Sequence, residues 1–316
     1  MRVLITGASG FAGTHLVEAL KQSANAKDME IFGTVFNGSG VLAELLPQDH
    51  IIPLNLMDVE AVKSLFTTVN PDQIYHLASF AFVGQSFERG TELLTNNIEL
   101  QEHVLEALLK YTPSARLLVI GSAEEYGLSE QGESPIKEDH PFRPVNPYAV
   151  SKVAQDLLAY AFTVSHKLNI VRVRPFNHIG ERQTTDFAIP AFAKQIIAIE
   201  RGQQDSLSVG NLTGLRDFTD VKDMVRAYIL LMEKGQVGEV YNIGSGTGVK
   251  MSEIVDKLIA LSSVKIIVNQ DEKRFRPLDI PEIIADASKI QSLGWKATIP
   301  LDETLKRILE YWRKQE

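Results

Sequence analysis

Residues 3–13 read Val3-Leu4-Ile5-Thr6-Gly7-Ala8-Ser9-Gly10-Phe11-Ala12-Gly13. The run over 3–6 predicts a buried strand, and the pattern over 12–22 predicts a helix. Three glycines at a spacing of three join them, and each has a mechanical reason to be there. Gly7 permits the tight turn, Gly10 lets backbone amides approach a pyrophosphate, and Gly13 lets the helix pack against the strand. The helix N-terminus then turns its positive dipole on the phosphates. A glycine turn without a ligand is the plain alternative, and the strand before it and the helix after it argue against that.

Working outward, strands are predicted over 31–35, 51–56, 73–78, 116–121 and 170–174. Helices over 59–69, 92–110 and 147–166 alternate with them. Alternation of this kind implies right-handed crossovers and an α/β fold with a doubly wound parallel sheet, the Rossmann arrangement. After Arg174 the loops lengthen. A helix is predicted over 187–201, and 221–233 with 240–243 read as a return to the sheet. Segments 252–261, 264–268 and 301–312 read as a smaller C-terminal α/β cap. The expected division is 1–174 plus 217–245 for the dinucleotide-binding domain and 175–216 plus 246–316 for the substrate-binding cap. A ligand belongs in the cleft between them, at the carboxyl ends of the strands.

The chain has 316 residues, room for about two domains at ~150 each. A net charge of -8 argues against a protein that coats nucleic acid, though local arginines still leave room for an anionic substrate. There is no cysteine, which excludes disulfides, thiolate nucleophiles and cysteine-held metals and fits the cytoplasm. The first apolar run is shorter than a signal peptide's, and no run approaches the ~20 residues of a membrane span. The histidines at 15, 50, 76, 103, 140, 166 and 178 show no ligand spacing, so no metal is expected. His76 reads as a strand residue near the cofactor.

Tyr148 and Lys152 stand four apart on one face of a helix that Asn146 caps and Pro147 opens. A free tyrosine titrates near 10, and a neighbouring ammonium lowers that value, so the pair can exchange a proton with a substrate oxygen. Ser122 follows the strand ending at Gly121, on the sheet edge where ligands bind, and its hydroxyl can hold a reacting carbonyl. Alone, Tyr-x-x-x-Lys is an ordinary helix pair; with the phosphate loop and Ser122 it reads as a proton relay beside a nicotinamide. Asn37 ends the second strand where an acid would select NADH and an arginine NADPH. It can bond either ribose, so both cofactors remain open.

These features, with His76-Leu77-Ala78, Asn97, Tyr126-Gly127 and Arg174-Pro175-x-Asn177, resemble the extended short-chain dehydrogenases/reductases that act on nucleotide sugars. The resemblance covers essentially the whole chain. Gly121-Ser122-x-Glu124-Glu125-Tyr126-Gly127, Phe192-Ala193-Lys194-Gln195-Ile196, Val209-Gly210-Asn211-Leu212, Arg216-Asp217-Phe218-Thr219-Asp220 and Arg276-Pro277 narrow it to the reductases of GDP-linked 6-deoxy-4-ketohexoses. That resemblance implies reduction by NADPH or NADH of the C4 ketone of GDP-4-dehydro-6-deoxy-D-mannose to GDP-D-rhamnose. It implies Ser122, Tyr148, Lys152 and Glu124 at the chemistry. Beside the cofactor it implies Gly7, Ser9, Gly10, Phe11, Gly13, Asn37, Asn55, Leu56, Leu77, Ala78, Tyr148, Lys152 and Pro175. At the nucleotide sugar it implies Asn177, Lys194, Val209, Asn211, Arg216 and Arg276. It also implies a homodimer through the two long helices, with no nucleic-acid or membrane partner.

A GDP-mannose 4,6-dehydratase or a nucleotide-sugar 4-epimerase is the alternative. Glu124 stands where related dehydratases carry the base of elimination, while Ala123 replaces the aspartate that one group of them pairs with it. The tryptophan-glycine-histidine stretch common in dehydratases after Arg216-Asp217 is absent, and Glu181 departs from the proline common in reductases. A non-catalytic sensor on this fold is the third reading. The presence of both Tyr148 and Lys152 counts against it.

Overall fold

The computed structural model describes residues 1–81, 87–130, 132–275 and 280–315. Along the chain, β1 (Arg2–Thr6) leads through the glycine turn into α1 (Phe11–Gln22), then β2 (Glu30–Val35), the short α2 (Leu42–Leu45) and β3 (Ile51–Pro53). Next come α3 (Val59–Val69), β4 (Gln73–His76), α4 (Gly90–Tyr111), β5 (Arg116–Ile120), α5 (Pro147–His166) and β6 (Ile170–Pro175). The second half runs β7 (Asn177–Ile179), α6 (Ala188–Glu200), β8 (Leu207–Val209), β9 (Leu215–Asp220), α7 (Val221–Lys234) and β10 (Val240–Ile243). It continues through β11 (Gly248–Lys250), α8 (Met251–Ala260), β12 (Val268–Gln270), β13 (Glu282–Ile283), α9 (Ser288–Gln291) and α10 (Leu301–Lys314).

Seven strands form one sheet in the order β10-β6-β5-β4-β1-β2-β3, every pairing parallel. The doubly wound expectation therefore holds. Its cause is visible within β1. Val3 and Ile5 point into a core shared with α1 and α7, whereas Leu4 points into the opposite core under α3, α4 and α5. A strand buried on both faces has to be apolar throughout, and the 3–6 run is. β3 stops at Pro53, short of the predicted 56, because proline has no N–H to give to a ladder.

A smaller sheet gathers around β9, which pairs antiparallel with β11 and parallel with β7 and β13. α6, α8 and α10 enclose a separate apolar core there, with Phe192, Ile196, Ile254, Leu258, Leu305 and Ile308 inside it. The strand predicted over 264–268 forms later, at Val268–Gln270, where the chain reaches the edge of β8. Among the described residues no helix is long and apolar enough to cross a membrane.

Candidate active site

The glycine turn closes as its spacing requires. Gly7 has φ +69°, a left-handed conformation, and a Cβ on it would lie 2.9 Å from the backbone of Ala78. A Cβ on Gly13 would lie 2.7 Å from the Ala8 carbonyl oxygen. Gly10 is the N-cap of α1 and supplies no side-chain cap, so the first amides of the helix face outward. An uncapped helix start beside a side-chain-free turn fits a dinucleotide pyrophosphate. Phe11, at the start of α1, is stacked on His178 at a centroid distance of 5.8 Å. Ser9 is half-buried in the same turn.

The neighbouring strand ends pack against the same turn. Leu77 N–H donates to the Thr6 carbonyl at 3.2 Å, and Ala78 N–H donates to the Thr6 hydroxyl at 3.3 Å. His76 Nδ1 bonds the same hydroxyl at 2.8 Å, and burial pushes its pKa down to about 3. It is a neutral strut, tying β4 to β1. Asn97, fully buried on α4, accepts from Phe80 N–H at 2.8 Å and donates to the Ser151 hydroxyl at 3.0 Å. It thereby fastens the segment after β4 to the helix that carries Tyr148. Asn37 and Asn55 are exposed past the ends of β2 and β3, Leu56 is buried, and Pro175 ends β6 opposite Ile243.

The N-terminus of α5 brings the chemistry together. Asn146 Oδ1 accepts from Ala149 N–H at 2.8 Å, and Nδ2 of the same side chain donates to Glu124 at 3.1 Å. One residue thus caps the helix and orients the glutamate. Lys152 donates to the Ile120 carbonyl at 2.9 Å, and its ammonium lies 6.0 Å from the centre of the Tyr148 ring. Ser122 Oγ caps the short turn that follows and shares a hydrogen bond with the Tyr148 side chain.

The direction of the Tyr148 titration differs from the sequence expectation. Burial, joined by the nearby Glu124 carboxylate, pushes its pKa well above the usual 10, and the Ser122 hydrogen bond offsets only part of this. Tyr148 is therefore protonated at neutral pH. Burial also depresses Lys152, to about 8. Its ammonium is fully present below that value and lost above it. A kcat–pH profile is accordingly expected to fall on its alkaline side with a midpoint near 8. A plateau that ran on past pH 10 would remove Lys152 from that role.

The substrate candidates lie on two walls. Lys194, on α6, is exposed with its ammonium 5.7 Å from the Trp312 ring centre, and Val209 ends β8 in the small core. Asn177 donates to the Asp217 carbonyl at 3.4 Å, Arg216 to the Leu215 carbonyl at 3.0 Å, and Asn211 accepts from Thr213 N–H at 3.0 Å. Arg276 lies outside the described residues. Sequence reasoning missed Arg274, which lines a recess of about 290 Å³ with Lys194, Gln195 and Gln204 and donates to the Ser208 hydroxyl at 3.1 Å. The Lys273-Arg274 pair beside Arg276 was its available signal. Asp217 was missed as a latch. Its carboxylate takes the amides of Ser245, Gly246 and Ala285 at 2.8, 2.9 and 3.1 Å, locking β9 to two loops.

Opposite the phosphate loop, Glu181 and Arg182 form a charged corner. Arg182 has φ +73° and donates to Glu18 of α1 at 2.7 and 2.6 Å. Glu181 accepts from Arg307 of α10 at 3.0 Å, and although burial opposes it, hydrogen bonds and Arg307 hold its pKa down at about 2. The residue that departs from the family's proline thus joins α1 to α10.

A parallel doubly wound sheet and a glycine-lined cradle, with Ser122, Tyr148 and Lys152 brought together at the end of the sheet, are the architecture of an NAD(P)-dependent oxidoreductase. The chain belongs to the family described as GDP-mannose 4,6 dehydratase, which matches residues 4–308. It is 31% identical over 99% of its length to the GDP-6-deoxy-D-mannose reductase of Pseudomonas aeruginosa, covering 98% of that protein. It is 27% identical to the human dTDP-D-glucose 4,6-dehydratase, covering 99% of this chain and 90% of that one. Its structure is similar to that of RMD from Pseudomonas aeruginosa complexed with NADPH, with a TM-score of 0.88, 30% identity and coverage of 100% and 99% of the two chains. It is also similar to the NAD complex of Thermus thermophilus UDP-glucose 4-epimerase, with a TM-score of 0.87, 25% identity and full coverage of both chains.

Proposed function

We propose that the protein reduces the C4 ketone of GDP-4-dehydro-6-deoxy-D-mannose to GDP-D-rhamnose at the expense of NADPH or NADH. The observation that carries this reading is Tyr148 brought beside Lys152 and Ser122 at the end of the large sheet, a set able to hydrogen-bond a ketone oxygen and give it a proton. The similarity to the Pseudomonas reductase supports the same direction.

The Gly7–Gly13 turn and the start of α1 would hold the pyrophosphate, and Lys152 the nicotinamide ribose. Bound NAD(P)H supplies the hydride. The chain supplies the rest. Ser122 and Tyr148 hydrogen-bond the ketone oxygen, and Tyr148 transfers its proton to that oxygen as charge develops there. The Lys152 ammonium stabilises the phenolate left behind until solvent restores its proton. Lys194, Arg216, Arg276, Asn177 and Asn211, with the newly found Arg274, are the donors for the GDP phosphates and adjoining groups. Val209 adds an apolar contact. The cap is the substrate-binding unit and the seven-stranded sheet the cofactor unit.

One observation favours a second reading. Glu124, oriented by Asn146, sits beside Tyr148, where it could take a sugar proton in an elimination. Net cofactor turnover separates the two. With GDP-4-keto-6-deoxymannose, a reductase oxidises NADPH or NADH in proportion to the sugar consumed, and product NMR assigns C4. With GDP-mannose, water loss without net nicotinamide oxidation would favour the dehydratase and overturn the proposal.

The exposed face of α5 carries Val150, Leu157, Tyr160 and Val164, spaced along one apolar stripe. We read this stripe, beside α4, as the face of a homodimer built on the two long helices. Light scattering is expected to return twice the chain mass of 35.1 kDa. Val164→Glu is expected to return a single chain mass. A monomer in the unaltered protein would overturn this assignment.

A further inference from the structure

Glu125 is completely buried one position beyond Glu124. Its Oε1 accepts from Ser122 N–H at 2.7 Å, so that Ser122 and Glu125 cap each other reciprocally across the turn. A Cβ on Gly121 would collide with that same oxygen, so the carboxyl occupies the place a side chain at 121 would need. Its Oε2 lies 3.0 Å from Nε of Arg174, but Arg174 donates that N–H to Asp156 at 2.7 Å. Oε2 is consequently buried without a hydrogen bond from a protein donor. A proton on Oε2, donated to Asp156, gives both oxygens a partner. Burial and the charge of Asp156 both favour that proton. On the other side of the strand end, Lys152 holds the Ile120 carbonyl. Residues 120–122 are thus gripped from two directions, by Lys152 and by Glu125.

We propose that Glu125 is a positioning residue for the ketone reduction, holding Ser122 through its main-chain N–H and so aiming the hydroxyl that receives the ketone oxygen. This rests on the reductase reading for the identity of the step. Glu125 contacts Ser122 from beneath the turn, and Arg174, Asp156 and Arg172 stand behind it as a rigid backing.

Two substitutions separate the hydrogen bond from the volume. Glu125→Gln keeps an oxygen for Ser122 N–H and an amide to donate to Asp156; Glu125→Met keeps length and volume but neither polar group. Glu125→Gln is expected to stay within ~3-fold of the unaltered kcat, while Glu125→Met loses ~30- to 100-fold in kcat with KM for the ketosugar and Kd for NADPH moving less than ~3-fold. Equal losses in the two variants, or a loss confined to KM, would overturn the inference. A second measurement needs no variant. In amide hydrogen exchange of the unaltered protein, Ser122 is expected among the slowest amides of 120–127, and fast exchange there overturns the inference even if Glu125→Met fails to fold. If the unaltered protein leaves NADPH unoxidised with this ketosugar, the reductase reading fails instead. The Ser122 exchange rate still decides whether Glu125 holds the turn.

Discussion

Tyr148→Phe is expected to lower kcat for the ketosugar by ~10³-fold, about 4 kcal/mol of transition-state stabilisation, while Kd for NADPH changes by no more than a few-fold. The substitution removes one hydroxyl from a nearly closed site. Tyr148 is 8% exposed, so a phenyl ring keeps its packing and only the proton donor disappears. What remains is Ser122, which can still hydrogen-bond the ketone oxygen without delivering a proton to it at a useful rate. Cofactor binding rests on the Gly7–Gly13 turn and α1, which the ring does not build. A parallel loss of NADPH affinity would therefore mean that the variant had disturbed the site rather than the chemistry. A kcat within ~10-fold of the unaltered enzyme would place the donor elsewhere, with Glu124 the nearest acidic candidate.

The second large effect is on stability. Arg174→Met is expected to cost about 3–5 kcal/mol, read as a shift in the urea unfolding midpoint. Arg174 is buried in β6 and bonds Asp156 at 2.5 Å, the Tyr126 hydroxyl at 2.9 Å and the Glu138 carbonyl at 2.9 Å. Its guanidinium also lies 5.2 and 4.6 Å from the ring centres of Tyr126 and Phe142. Methionine fills much of the volume and returns none of these donors. Asp156 would be left with Arg172 as its cationic partner, in a place where a carboxylate cannot recover its hydration. A midpoint shift worth less than ~1 kcal/mol would show that the pair contributes little beyond its own desolvation.

The large sheet was legible in the sequence because its strands are short apolar runs and most of its crossovers are amphipathic helices, though the crossover from β2 to β3, with only the four-residue α2, was not predicted. Asn146 and Pro147 marked the beginning of α5 to the residue. The small sheet was not legible. β7, β11 and β13 span two or three residues each, too few to show a period of two, and their pairing on β9 is decided by long-range contacts. Within the site, residue identities came from motif spacing, whereas the direction of the Tyr148 titration did not. Spacing reveals that a lysine lies one helical turn away, but says nothing of how much water the fold removes or which carboxyls it draws near. Glu124 and Glu125 make the same point. Adjacent in sequence and alike in chemistry, one opens toward the site and the other is sealed beneath it, because a tight turn sends neighbouring side chains in different directions.

The Glu181–Arg182 corner has a consequence for how the two ends of the molecule behave. Arg182 grips α1, the helix that follows the glycine loop, and Glu181 is gripped by Arg307, 126 positions further along the chain. α10 thus braces α1, the helix whose first turn follows the glycine loop, without being part of that loop. If the loop holds the dinucleotide as proposed, damage to α10 would register first as weakened dinucleotide affinity, and a bound dinucleotide would in turn stiffen α10.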